Sequence, residues 1–321
     1  MRKRLVWVDI AKGIAIILMI IGHEISGNIR TFIFSFHMPL FFILSGFTSG
    51  AVLTYSKWKS KLPKILEMLI LVIFMIILLS VEKVLVWKGS VSQIALDTLI
   101  GIFQGSNTYG GVHAISTVGV MWFLIVFVWA KILFDLLQVF FDNKYIGVIL
   151  GIISYFAYLI SLHHWLPQDL DIIPIAALFM WIGLVAKNIK IKQIGKMKNY
   201  LIILSLTYWL ICMRLHLFIE LVIRHYPLFI VTILEAAAGT FIVCLFSKWL
   251  VPWAQKLQIV GQHTLAVLCI HHLDLYWVNW DSYILSFHSW LLASIARLVV
   301  DVTILGLFLF VQRWIMARKV K

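Results

Sequence analysis

Residues 6–25 read VWVDIAKGIAIILMIIGHEI, and this stretch decides the fold class. A bilayer-spanning helix needs about 20 consecutive, mostly apolar residues. The stretch has that length, with Asp9, Lys12 and His23 inside it. The basic start MRKR gives it the look of a signal peptide, but Asp9 and Lys12 interrupt the apolar run and no small-x-small cleavage site follows cleanly. Apolar sequence simply continues, so the segment reads as an uncleaved first helix.

Moving outward, windows of the same kind recur near 32–53, 65–87, 118–141, 145–162, 171–187, 199–219, 228–250, 259–280 and 288–312. Of the 321 residues, 62% are apolar or aromatic and 13% are charged, whereas soluble globular domains carry roughly 25% charged residues. Ten spans use about 200 positions and leave about a dozen per connection. The expectation is an all-α, polytopic integral membrane protein of about ten transmembrane helices, with residues 1–321 forming one membrane domain and no separate soluble domain.

The net charge of +13 would suggest a nucleic-acid partner on a soluble protein. Here it follows topology instead. Arg2 to Arg4, Lys57 to Lys64, Lys144, Lys187 to Lys198, Lys248, Lys256 and Arg313 to Lys321 fall on one side of the ten spans, while Arg30, Lys88 and Arg224 fall on the other. By the positive-inside bias both termini are cytoplasmic, in a multi-pass protein of the cell membrane. Cys212, Cys244 and Cys269 lie in apolar stretches without a C-x-x-C pair and read as buried free thiols. In the long outer connection, roughly 88–117, IALDTLIGIFQG is too short to cross and is expected to lie in the interface or re-enter. The Gly-rich run after it reads as a flexible loop or a lid over an outer-facing cavity.

An ionisable group in hydrocarbon needs a partner or a job. Lys131 with Asp135, and Arg297 with Asp301, stand four apart on a helix and can neutralise each other; Arg214 and Glu235 flank a short outer turn and can also pair. The first helix is different. Lys12 and His23 are eleven residues apart, three turns plus roughly 20°, so they share one face about 16 Å apart. Asp9 can hold the Lys12 ammonium, but Met19 occupies the position four before His23. His37, in SFHMPLFFILSGF (35–47), is expected in the first turn of the second helix, at about the depth of His23, where two imidazoles could act as a base and its orienting partner. Pro39 suits a first turn, and Ser45-Gly46 lets another backbone approach. His271 and His272 in GQHTLAVLCIHH point about 100° apart, so at most one faces the same cavity. No metal is expected, because zinc catalysis takes three protein ligands and no His-x3-His or acidic triad accompanies these histidines.

Read together, Arg4, Asp9, Lys12, Gly13 and His23 in R-x4-D-x2-K-G-I-A with K-x10-H spacing, then FHMPLFFILSGF, Trp122-Phe-Leu, LPQDLDIIPIAALFMWIG (166–183) and G-x2-TL-x5-H ending at His271 resemble the membrane acyltransferase-3 family, nearest its stand-alone sugar O-acetyltransferase branch of the fucose acetylase type. That resemblance implies transfer of an acetyl group from cytoplasmic acetyl-coenzyme A, as co-substrate, to a hydroxyl of a cell-surface glycan or glycolipid at the outer side. It further implies that His23 is the catalytic histidine and that Lys12, Lys61 and Lys64 serve the donor. From the residues themselves, His23 acts as general base or carries the acyl group itself, His37 orients it or the acceptor, and Asp9 holds Lys12. His271, Trp122 and Arg297 are the acceptor-side candidates. Independently of the resemblance, coenzyme A carries anionic phosphates and an arm of about 20 Å, comparable with the spacing from Lys12 to His23. The competing class is a transporter or flippase that moves a polar glycan or lipid through a cavity lined by the same His, Arg and Trp residues. Partners are therefore the bilayer, the donor and the glycan, with no nucleic acid.

Overall fold

The computed structural model describes residues 4–85, 88–105, 118–189, 197–277 and 289–319. Thirteen α-helices are found among them: α1 Val6–Glu24, α2 Gly27–Phe34, α3 His37–Thr48, α4 Tyr55–Leu85, α5 Val91–Gln104, α6 Trp122–Phe140, α7 Asn143–Ser161, α8 Ile173–Asn188, α9 Met197–Arg214, α10 Phe229–Leu250, α11 Gln255–Gln262, α12 Thr264–Trp277 and α13 Trp290–Lys319. Eight spans are long and apolar enough to cross a membrane, α2 and α3 together counting as one. The chain is thus a multi-pass, all-helical membrane protein among its described residues. The other two expected spans fall on α9, where Lys198, Asn199 and Arg214 dilute the apolar run, and on α12, which is only 14 residues long.

On α4, Ile70, Phe74, Ile77 and Val81 are exposed while Val72, Met75, Ile76 and Leu79 are buried. Both sets recur at helical spacing and both are apolar. The inner face meets protein and the outer one suits lipid rather than water.

The helices fall into two compact units. One comprises residues 1–33 and 249–321, the other residues 34–248. In the first, α1 packs along α11 through paired glycines. A Cβ on Gly13 would lie 2.3 Å from the Leu257 carbonyl oxygen, and one on Gly261 would lie 1.6 Å from that of Asp9. Helices α12 and α13 complete this unit against α1.

The second unit is built on an equally close pair. A Cβ on Gly46 of α3 would meet the Met180 carbonyl at 1.8 Å, and one on Gly183 of α8 would meet that of Ile43 at 1.9 Å. The expected close approach at Ser45-Gly46 is therefore present, with α8 as the partner. The expected single helix over 32–53 is instead divided at Ser35 and Phe36. Pro39 has no N–H to give the Ser35 carbonyl, which breaks the helical ladder there; Trp209 Nε1 donates to Ser35 Oγ at 3.1 Å and Phe36 packs edge-on to the same indole. Because α2 begins at Gly27, His37 lies in the middle of the Gly27–Thr48 span rather than in its first turn.

The short apolar stretch after Lys88 forms α5. Its end is capped by Gln168, whose side-chain amide donates to the carbonyls of Ile102 and Phe103 at 2.8 Å each. The Gly-rich 106–117 segment, with the lid assigned to it, lies outside the described residues.

Candidate active site

In the first unit, α1 is unbroken from Val6 to Glu24, so Lys12 and His23 stand about 16 Å apart along one helix. At the Lys12 end, Arg4 grips Asp9 with two bonds, Nε to Oδ2 at 2.6 Å and Nη2 to Oδ1 at 3.3 Å. Arg4, rather than Lys12, thus holds the Asp9 carboxylate. Lys12 is half-buried and close enough to feel Asp9 and Arg4 electrostatically.

At the other end, His23 is exposed although the side chains around it are not. Its ring lies 5.2 Å from that of His271, inclined by 36°. His271 comes from α12, is fully buried, and has Nδ1 3.3 Å from Asp301 Oδ2 on α13. Arg297, one turn before Asp301, joins Asp274 of α12 through Nε at 2.6 Å and Glu24 of α1 through Nη1. Arg297 therefore reaches two other helices instead of pairing with Asp301, because at its depth the guanidinium fork can serve both carboxylates. The side chains of Arg297, Glu24, Asp274, His271 and Asp301 are each at most 2% exposed.

The cluster gives His23 a buried imidazole beside it, a carboxylate behind that imidazole, and a clamped neighbour in sequence. His271, Asp274 and Asp301 can bring one ligand atom each to within 4.8 Å of one another, the nearest approach to a cation-binding trio among the described residues. Arg297 already supplies positive charge to its Asp274 corner.

In the second unit, His37 opens α3, is buried, and lies against Phe34 with ring centroids 4.7 Å apart and the planes inclined by 40°. Trp122 opens α6, buried and edge-on to Phe123 at 6.4 Å. Lys61 on α4 lies 3.5 Å from Asp135 of α6, while Lys64 is exposed. The Lys131–Asp135 pair expected from spacing is formed. Glu235 does not pair with Arg214: it accepts from the Ile219 backbone N–H at 3.3 Å.

The sequence of motifs seen along the chain is matched over residues 5–311 by the profile of the acyltransferase-3 family, described as an acyltransferase domain. The chain belongs to this acyltransferase family. No curated protein and no solved structure matches it. The family match runs through both units, so this acyltransferase carries its two helix clusters within one family domain. Membership makes it a membrane acyltransferase and sets the His23 cluster in that context.

Two members of the acyltransferase's cluster, Glu24 and Asp274, carry no role in the sequence reading, and Asp301 appears there only as a partner for Arg297. Their signal was present in the spacing. Asp274 follows His271 by three residues and Glu24 follows His23 directly, so each carboxylate sits beside a histidine in an apolar helix. A second buried group also escaped. Arg224 binds Asp171 through Nε at 2.7 Å and Asp169 through Nη2 at 2.6 Å, and lies over the Trp165 ring at 4.1 Å. Burial opposes charge on Arg224, yet Asp171 and Asp169 outweigh it and raise its pKa above the ordinary value. Burial likewise lifts the Tyr226 hydroxyl far above its ordinary range.

Proposed function

We propose that this acyltransferase moves an acetyl group from cytoplasmic acetyl-coenzyme A to a hydroxyl of a cell-surface or lipid-linked glycan, at the outer face of the cell membrane, as a single membrane domain with both termini cytoplasmic. The observation that carries the reading is the His23 imidazole set 5.2 Å from that of His271, which is itself paired with Asp301, on the same helix as Lys12.

His23 acts as general base. It takes the proton of the acceptor hydroxyl as the oxygen attacks the thioester carbonyl; the carbon–sulfur bond breaks, and the leaving thiolate receives that proton from the imidazolium. Proton transfer by a positioned side chain contributes about 10²–10⁴-fold. His271, held by Asp301, orients His23, and Arg297 fixes the end of α1 through Glu24. Lys12 favours the anionic donor by charge, and Lys61 and Lys64 meet its phosphates. His37 and Trp122 are assigned to acceptor recognition in the second unit.

The deciding experiment uses purified protein in lipid nanodiscs with acetyl-labelled coenzyme A and glycans extracted from the host surface. Label should appear on the glycan as an alkali-labile ester, and His23→Ala should abolish it while the protein remains inserted and folded. Full transfer by that variant would remove His23 from the chemistry. Glycan movement across the bilayer without donor binding would instead identify a transporter.

A further inference from the structure

The second unit contains a buried ion pair, Lys131 with Asp135, to which the reaction as described gives no part. Asp135 on α6 is buried, with its side chain 1% exposed. Its Oδ1 takes Lys131, four residues earlier on the same helix, and accepts from Gln138 Nε2 at 3.3 Å. The other oxygen, Oδ2, faces Lys61 of α4 at the longer distance of 3.5 Å. Two ammonium groups therefore share one carboxylate, leaving one positive charge in surplus inside an apolar helix pair. A further bond, from Trp58 Nε1 to the Ile132 carbonyl at 3.3 Å, ties the same stretches of α4 and α6 together.

The two lysines are not equivalent. The Lys131 side chain is 13% exposed and lies 5.6 Å from the Phe134 ring, whereas that of Lys61 is 32% exposed and reaches Asp135 only at hydrogen-bond limit. Asp135 is thus neutralised mainly by Lys131, and the surplus charge resides on the more accessible Lys61. Asp135 is already held by Lys131 and offsets this charge only in part, and the Lys61 ammonium is accessible enough to receive an anion. Lys64, on the next turn of α4, is exposed and adds a second cation.

We infer that Lys131 is a positioning residue for the donor's phosphate site: it holds the Asp135 carboxylate and cancels its charge, so that Lys61 is not drawn in and keeps its own charge for a phosphate of coenzyme A. The inference rests on the donor proposed above. Without Lys131, Asp135 would draw Lys61 in as its only cation and the phosphate would lose its partner.

The test measures binding of coenzyme A and of adenosine 3′,5′-bisphosphate, which has the phosphates but no thioester, to the full chain in nanodiscs by calorimetry. Lys61→Met and Lys131→Met should each weaken both ligands by about tenfold, the scale of one charge-assisted hydrogen bond. Lys131→Arg should bind as the parent does. The double variant Lys131→Met/Asp135→Asn, which removes the pair as a neutral unit, should recover parental affinity while Lys61→Met stays weak. Because Lys131→Met strands a buried carboxylate, thermal unfolding of each variant is followed in parallel, and the double variant carries the decision if the single one does not fold. Parental binding by a folded Lys131→Met, or a folded double variant that remains weak, overturns the positioning role. Failure of the parent protein to bind either ligand overturns the donor reading itself, and this inference with it.

Discussion

Arg297 reaches Glu24, the residue that follows His23, from the helix at the opposite end of the chain. The same guanidinium holds Asp274 at 2.6 Å, three residues beyond His271. Both histidines of the candidate site are therefore anchored through one buried side chain, and the distance between their rings depends on it.

Replacing Arg297 by Lys keeps a charge but loses the fork, so one of Glu24 and Asp274 loses its partner. The expected outcome is a fall in kcat of about 10- to 100-fold with little change in either KM, as for a buried side chain that acts through Glu24 and Asp274; a raised KM for the glycan would instead mark Arg297 as the acceptor contact the sequence suggests. Arg297→Ala strands two carboxylates and should cost about 3–5 kcal/mol of stability. Steady-state kinetics and thermal unfolding in detergent separate the two effects.

Asp301→Asn keeps the shape beside His271 but removes its charge. The expected result is a kcat lowered by about 10- to 100-fold with KM for the donor unchanged, as for a residue that acts through another. An unaltered kcat in a folded Asp301→Asn protein would detach the pair from the reaction.

Lys12→Ala should raise KM for acetyl-coenzyme A by about tenfold, the value of one charge-assisted contact, and leave KM for the glycan alone. Donor titration at saturating acceptor measures this. Unchanged donor dependence would argue against Lys12 as part of the donor site.

Gly46→Ala and Gly183→Ala each place a methyl group within 2 Å of a carbonyl oxygen on the facing helix. Each should destabilise the second unit by at least about 1–3 kcal/mol. The two costs should add less than fully, because either variant already forces α3 and α8 apart; unfolding midpoints of the single and double variants test this.

Arg224→Met leaves Asp169 and Asp171 buried without their cation, with an expected loss of about 3–5 kcal/mol. Adding Asp169→Asn and Asp171→Asn should restore most of it. Equal stability of the single and triple variants would show that the aspartates find other partners.

Much of the fold was legible because hydrophobicity in a bilayer is a local property. The run around Lys12 and His23, the apolar α4 and the short α5 follow from residues counted along one segment. The division of α2 from α3 was harder. Pro39 could equally begin a helix or break one, and what settles it is Trp209, some 170 positions away, filling the break at Ser35 and Phe36. Ion pairing shows the same contrast. Lys131 and Asp135 meet on their own helix as spacing suggests, while Arg297 passes over Asp301 in favour of Asp274 and Glu24. Spacing records only which partners a helix offers, and packing decides when a second helix brings a better one. His271 was singled out as a candidate to face the same cavity as His23; Glu24, Asp274 and Asp301, which fix their surroundings, needed the helices in place.

The glycine seam between α3 and α8 has a mechanical consequence. At Gly46 and Gly183 each backbone lies where the other's side chain would be, so a slide of one helix by a single turn would drive Phe42, Ile43 or Phe179 into a carbonyl. That pair is locked in register as a unit, and whatever motion admits a substrate or releases a product must bend the chain somewhere other than along that seam.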